Sequence, residues 1–292
     1  MPLCSWSKTL STLKPLMLVG SEEFELQWGA GACGFILSVM LAGCIFGQYT
    51  FYFVSFPQDL RSVKAVVAFL LAMDVLQTYL VSGIYWNVLV VCHGVRTRYC
   101  PPKLPWELIA AIPVAHIVTS VVQCFYAHRI WIISAKNMLL TSLITATTLM
   151  NFAFGMISTY VAVSTRSIVD LSSTPWSPRS ALMSAVCDVL ITGSVFFYLR
   201  EGRREVPRSQ NYFRHLTIVF INMGLFTCLV SVGWCLLYVV RGGQFFIAFP
   251  TAFISKAYTN SMMAVLNARK SVREREEELR INGHNLATID MH

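Results

Sequence analysis

The chain has 292 residues, of which 55% are hydrophobic and only 13% are charged, and its formal net charge at pH 7 is +8. Soluble domains contain about a quarter charged residues, so this composition excludes an ordinary soluble protein. The positive charge lies mainly between and after long apolar segments, so it does not call for a nucleic-acid partner.

Seven apolar segments follow one another along the chain, and each is long enough to cross a lipid bilayer as a helix. The apolar runs are continuous rather than alternating, which favours helices over a transmembrane barrel. We therefore predict an all-α fold, an integral membrane seven-helix bundle that crosses the bilayer in multiple passes. The predicted spans are residues 29–54, 65–91, 108–133, 138–163, 180–199, 216–240 and 244–267.

The segments outside the spans define the domain organisation. The seven-transmembrane helix domain occupies residues 29–267, after an N-terminal segment at 1–28 and before a charged tail at 268–292. The apolar patch at residues 16–19 is too short for the core of a cleaved signal peptide, so the first span is predicted to direct its own insertion. Glu276 and Arg280 have the i,i+4 spacing that favours a charged helix continuing from the seventh span.

The distribution of basic residues predicts the orientation. Fourteen Lys and Arg residues lie on the side shared by loops one, three and five and the C-terminal tail, and eight lie on the other side. Cytosolic segments carry the excess of Lys and Arg, so the N-terminus is predicted outside and the tail in the cytosol. The expected location is the plasma membrane or an endomembrane. A surface for anionic lipid or a cytosolic protein partner is predicted at Arg129, Arg203, Arg204 and Arg208.

Cysteine and glycine spacing give two further expectations. Cys92 and Cys100 lie in or near one loop on the predicted outer side, and Cys4 lies in the N-terminal segment. An oxidising compartment would permit a disulfide among them. No spacing is typical of a metal or cofactor site, so none is predicted. Gly43 and Gly47 have the small-xxx-small spacing of closely packed membrane helices, for which we expect packing within the chain in preference to dimerisation.

Three ionisable residues lie near the middle of spans, namely Asp74, Asp188 and Lys256. A charge at the bilayer centre costs about 2.5–3.5 kcal/mol on insertion scales, so Lys256 is predicted to pair with one of the two aspartates and the other to be protonated. An inert internal ion pair and a polar pocket for a ligand head group, an ion or a proton both fit this pattern. The candidate ligand-binding residues are Asp74, Gln77, His116, Gln123, Asp188, Lys256, Tyr258 and Asn260.

Two longer strings of residues carry a resemblance. Residues 123–131, Gln-Cys-Phe-Tyr-Ala-His-Arg-Ile-Trp, end the third span, and residues 256–269, Lys-Ala-Tyr-Thr-Asn-Ser-Met-Met-Ala-Val-Leu-Asn-Ala-Arg, lie in the seventh. Together with Asp74 and Asp188, they resemble a large family of seven-transmembrane proteins of mushroom-forming fungi that is catalogued only as a domain of unknown function. The resemblance implies the seven-helix fold and a fungal membrane, but no reaction. Gln77 stands where that family often has a histidine, so the resemblance implies no proton-handling role there.

The leading functional interpretation is a receptor or sensor with a polar intramembrane pocket. An outside N-terminus, a basic cytosolic hairpin between spans five and six, and Arg129 at the inner end of span three are similar to the general layout of G-protein-coupled receptors. This likeness is topological, and topology alone does not define a function. The short motifs of well-known receptor classes are absent.

Other classes remain open. An intramembrane enzyme of the cyclase kind, or a small transporter, would use Asp74, Asp188 and Lys256, but no catalytic constellation and no inverted repeat supports either. A retinal protein would bind its chromophore through Lys256, yet the third span lacks the carboxylate expected as counter-ion. A structural or assembly role completes the alternatives. The sequence names neither a ligand nor a catalytic residue.

Overall fold

The structure is a computed structural model that describes residues 6–91, 104–167, 171, 174–202, 224–233, 236 and 248–289. Side chains are described for residues 29–91, 104–167, 171, 174–198, 224–233, 236 and 249–270. All regular secondary structure in these ranges is helical. The all-α prediction is therefore confirmed for the described part of the chain.

The first two helices form an antiparallel pair. Helix α1 (Trp6–Ser55) runs without a break through the first predicted span, so the described part of the N-terminal segment continues the same helix. Helix α2 (Arg61–Trp86) follows the short loop one at residues 56–60 and ends in a π-helical turn at Asn87–Val91. At 1.5 Å per residue, α1 is about 75 Å long, more than twice the thickness of a hydrocarbon core.

Helices α3 (Trp106–Ile133) and α4 (Met138–Thr165) form a second pair joined by a tight turn. Ala135 and Lys136 adopt positive φ angles of 53° and 67° in this turn. The side chain of Asn137 then accepts a hydrogen bond of 3.3 Å from the backbone N–H of Leu140. Asparagine is a favoured residue at the start of a helix for this reason, so the sequence fixes where α4 begins.

The C-terminal half contains helices α5 (Trp176–Gly202), α6 (Gly224–Gly233) and α7 (Ala248–Ile289). Five described helical segments are long and apolar enough to cross a membrane: Gly29–Ser55, Arg61–Val90, Trp106–Ile133, Met138–Thr165 and Trp176–Tyr198. These correspond to the first five predicted spans. Helix α6 covers ten residues of the sixth, and residues 248–267 of the seventh lie in the less apolar α7. The chain is thus a multi-pass membrane protein with five spans supported by length and composition.

Large apolar side chains point away from the bundle on most helices. Met40, Phe46, Tyr79, Leu149 and Val189 are each between 58% and 66% exposed. An apolar surface of this extent is unfavourable in water, whereas hydrocarbon solvates it well. Apolar side chains outside and polar side chains inside are the distribution expected of a lipid environment.

Helix α7 lies inside the bundle rather than at its edge. Residues 252–259 of α7 are all buried, and this helix packs most extensively against α1 while also contacting α2 and α3. The two helices come closest at Gly34, where a Cβ atom would lie 2.4 Å from the backbone oxygen of Phe249. Only glycine allows so close an approach.

The small-xxx-small pair Gly43 and Gly47 does not pack as expected. A Cβ atom at either position would meet nothing within 4 Å among the described residues, and both glycines are exposed. The expectation of packing within the chain is therefore wrong for the described structure. The close approach of α1 to α7 uses Gly34 instead, because the buried face of α1 includes Gly34, Ile45 and Tyr49.

Candidate functional site

The predicted ion pair of Lys256 with an aspartate is confirmed, and its partner is Asp74. The Nζ of Lys256 on α7 lies 3.4 Å from Oδ1 of Asp74 on α2, and both side chains are almost completely buried. The same ammonium group donates a hydrogen bond of 2.6 Å to the backbone oxygen of Asp74. A buried charge without a partner is costly, so this contact fixes the position of α7 against α2.

Further hydroxyl groups complete the surroundings of Asp74. The Oδ2 atom accepts a hydrogen bond of 3.0 Å from Tyr49 of α1, and Oδ1 accepts one of 3.4 Å from Thr259 of α7. Sequence reasoning overlooked both residues. The position of Thr259 near Asp74 could have been predicted, because Thr259 follows Lys256 by three residues and therefore lies on the same face of the helix. We call Asp74, Lys256, Tyr49 and Thr259 the ion-pair cluster.

A second polar cluster surrounds Asp188 on α5. Tyr258 of α7 donates a hydrogen bond of 2.6 Å to Oδ2 of Asp188, and its hydroxyl lies 2.8 Å from Oγ of Ser184. Gln123 of α3 donates from Nε2 to the same Oγ at 3.3 Å. Thr227 of α6 also places its side chain beside the carboxylate. We call these five residues the Asp188 cluster.

The two clusters lie on different faces of α7. Lys256 and Tyr258 are two positions apart, which is a rotation of about 200° around a helix. The predicted pocket residues are thus divided into two groups with α7 between them. Two polar residues of α7 extend this arrangement to other helices: Asn260 accepts a hydrogen bond of 2.8 Å from Gln48 of α1, and Ser261 bonds to Tyr126 of α3.

The other two candidates of the predicted pocket, Gln77 and His116, make no side-chain hydrogen bond to either cluster among the described residues. Gln77 is 1% exposed on α2, but its Oε1 has no hydrogen-bond partner among the described residues. His116 of α3 packs against Gly155 of α4, where a Cβ atom would lie 2.4 Å from the imidazole ring. The structure therefore does not bring His116 together with Asp74 or Asp188, because its ring occupies the space left by that glycine.

The part of α7 that follows its buried residues contacts loop one. Arg269 donates a hydrogen bond of 2.7 Å to Oδ2 of Asp59 and stacks its guanidinium over the ring of Phe56 at 4.7 Å. Tyr52 donates to the same carboxylate oxygen at 2.8 Å. Partial burial tends to raise the pKa of Asp59, but hydrogen bonds from Arg269 and Tyr52 outweigh it and hold the pKa below its ordinary value. Loop one and the beginning of the tail therefore lie on the same side of the bundle.

The predicted partner surface is only partly described. Arg129 is half-buried at the end of α3, with its guanidinium 5.3 Å from the centroid of the Phe125 ring. Arg203, Arg204 and Arg208 lie outside the described residues, as do Cys92 and Cys100. The basic surface and the disulfide stay predictions.

Comparison with known families gives one match. Residues 184–271 match a family of unknown function, DUF6534. This segment includes Asp188, Lys256, Tyr258 and Arg269, whereas Asp74 lies before it. No curated protein and no solved structure matches the chain. The match supports the expected resemblance to a domain of unknown function, but it carries no activity and no fungal origin.

Proposed function

We propose that this protein is a seven-transmembrane receptor- or sensor-like protein in which α7 is the moving element. The observation that carries the proposal is the buried Lys256–Asp74 ion pair. Ionisable residues inside membrane domains are rare and usually mark functional sites. A buried ion pair also contributes little net stability, because desolvation offsets much of its Coulomb attraction.

Seven spans require two more than the five supported by length and hydropathy. We assign them to α6 with its flanking residues and to the first part of α7. The low hydropathy of residues 248–267 of α7 follows from polar side chains that meet partners inside the bundle, among them Lys256, Tyr258 and Asn260. The charged residues after 268 lower the hydropathy of the rest of the helix. A helix that is shielded by its neighbours does not need an apolar surface of its own. The excess of Lys and Arg beside loop one and the tail favours a cytosolic C-terminus.

The ion-pair cluster gives α7 two alternative states. A ligand group, ion or proton that neutralises either Lys256 or Asp74 removes the attraction between α7 and α2, and the charge left behind favours a different helix position. Arg269 lies thirteen residues further along α7, about 20 Å at the rise of a helix. A movement at the ion pair would thus reach the contact between Arg269 and Asp59 on the proposed cytosolic side.

The experiment measures the position of α7 in purified full-length protein in lipid nanodiscs. Spin labels are placed at Ser271, just beyond the described side chains of α7, and at Leu139, which is 80% exposed at the start of α4. Distance distributions are recorded for the unsubstituted chain, for Lys256→Met, for Asp74→Asn and for the double variant. The sensor account predicts a second distance population in each single variant and its loss in the double variant.

The matched control is Thr259→Val, which removes a hydroxyl group beside Asp74 without leaving an unpaired charge. It should keep the original distance. If all variants keep one distance and differ only in thermal stability, the ion pair is an inert internal contact and the sensor proposal fails. Charge reversal at Arg203, Arg204 and Arg208 tests the cytosolic side separately: a partner that still binds with unchanged affinity would remove these residues from the proposed signalling surface.

A further inference from the structure

The hydrogen bonds of the Asp188 cluster all run in one direction. Tyr258 has a single hydroxyl proton, which it donates to Asp188, so Ser184 must donate to Tyr258 at their 2.8 Å contact. Ser184 in turn accepts from Gln123 Nε2. The chain of donors leads from Gln123 to the Asp188 carboxylate, which serves as the acceptor at its end.

Asp74 is paired with a cationic side chain, whereas Asp188 has none beside it among the described residues. Asp188 is 3% exposed, and among the described side chains it has no ion pair. The titratable groups that face it are Tyr126 of α3, Cys187 of α5, Cys228 of α6 and Tyr258 of α7. None of these groups becomes a cation. Hydrogen bonds from neutral donors stabilise a buried carboxylate only in part, so a charge-compensating partner is still needed.

Oxygen atoms without hydrogen-bond partners lie in this region. The Oε1 of Gln123 is buried and unpartnered among the described residues, and the Gln123 side chain is 0% exposed. Ser231 follows Thr227 by one turn on the same face of α6, and its buried Oγ is also unpartnered in the described structure. Carboxylate, amide and hydroxyl oxygens are the ligands that hard cations prefer.

We propose that Asp188, Gln123, Ser184, Thr227 and Ser231 form a binding site for a small monovalent cation, either Na⁺ or a proton. A single carboxylate balances a single positive charge, and no group of three His, Cys, Asp or Glu side chains in the described ranges is arranged to hold a metal ion. The site would join α3, α5 and α6 when the cation is bound, and Tyr258 of α7 would remain hydrogen-bonded to Asp188 beside it. It goes beyond the proposed sensor function, because it predicts cation-dependent stability whether or not α7 moves.

The test is the thermal unfolding of the full-length protein in nanodiscs, with NaCl or with choline chloride at equal ionic strength. Choline is too large to enter a site built for Na⁺. At mildly alkaline pH, Na⁺ should raise Tm by several degrees over choline in a saturable manner, since a ligand that binds only the folded state stabilises it. The difference should shrink as the pH falls, because a proton then neutralises Asp188 in place of Na⁺.

Two variants and a control assign the effect to this site. Asp188→Asn should abolish the difference between Na⁺ and choline, whereas Asp59→Asn, the same substitution in loop one, should retain it. Gln123→Lys supplies a tethered ammonium group beside Asp188, as Lys256 does for Asp74, and should also abolish it. If Tm of the unsubstituted protein does not depend on Na⁺ but rises as the pH falls from alkaline to neutral, and Asp188→Asn removes that rise, the proton is the cation. A Na⁺ effect that persists in Asp188→Asn, or the absence of both the Na⁺ effect and that rise in the unsubstituted protein, would overturn the proposal.

Discussion

Tyr258 is the residue that α7 contributes to the Asp188 cluster. Its hydroxyl group both donates to Asp188 and accepts from Ser184. Tyr258→Phe leaves these two polar groups buried without this partner, so we expect a loss of about 1–2 kcal/mol in the free energy of unfolding. The measurement is chemical unfolding in mild detergent.

Tyr79→Phe is the matched control for that substitution, because Tyr79 is 64% exposed on the lipid-facing side of α2. It should change the free energy of unfolding little. Equal losses in the two variants would show that the hydroxyl of Tyr258 has no special role in the packing of α7.

Asp59 predicts how stability depends on pH outside the spans. Its pKa is held below the ordinary value, so its contacts with Arg269 and Tyr52 stabilise the folded protein at pH values above the unfolded pKa. This contribution is lost as the pH falls through the lower, folded-state pKa. Tm should therefore decline on acidification in that range, and Asp59→Asn should reduce the decline. An identical acid profile in Asp59→Asn would contradict the assignment.

The sequence predicted one of the two described ion pairs of α7 and not the other. The depth of Lys256 follows from its position in the seventh span at 1.5 Å per residue, so a partner among Asp74 and Asp188 could be predicted. The choice between them could not, because it depends on the rotation of each helix about its axis. The Arg269–Asp59 contact could not be predicted for another reason. Basic residues are enriched in loops and tails on the cytosolic side whether or not they form ion pairs.

Among the helices, α1 makes the most extensive contact with α7. Gly34→Ala would place a methyl group against the backbone oxygen of Phe249, and a backbone atom cannot turn aside as a side chain does. We expect a loss of about 1–3 kcal/mol in the free energy of unfolding, as for other overpacked sites.

Gly43→Ala is the control on the same helix, because open space surrounds that position among the described residues. It should be close to neutral in the same unfolding assay. Destabilisation by Gly43→Ala and none by Gly34→Ala would place the α1–α7 contact elsewhere on α1. Several small residues lie along α1. Only the close approach of the Phe249 backbone in the folded protein distinguishes Gly34 from them.

For the molecule as a whole, the orientation is the main prediction from charge. The contact between Arg269 and Asp59 puts loop one and the beginning of the tail on one side of the bundle. The excess of basic residues assigns that side to the cytosol. A glycosylation reporter fused after His292 should remain unmodified, and one inserted before Trp6 should be modified; the reverse pattern would invert the predicted topology.

Hydropathy identifies the predicted spans unequally along the chain. The first five predicted spans have helical counterparts of sufficient length and hydropathy. The seventh span has a lower hydropathy because it contains Lys256, Asn260 and Asn267. These three side chains form hydrogen bonds to other helices of the bundle. Hydropathy measures the preference of an isolated helix for lipid, whereas α7 is mostly surrounded by protein.

We propose that Lys256 and Asp74 act as a pair that holds α7 in place, and a double-mutant cycle of unfolding free energies measures the coupling between them. We predict that Lys256→Met or Asp74→Asn alone costs about 3–5 kcal/mol, because each leaves a buried charge without its partner. The double variant should lose less than the sum of the single losses, since it leaves neither charge behind. Additive losses in the double variant would contradict the pairing and the account of α7 built on it.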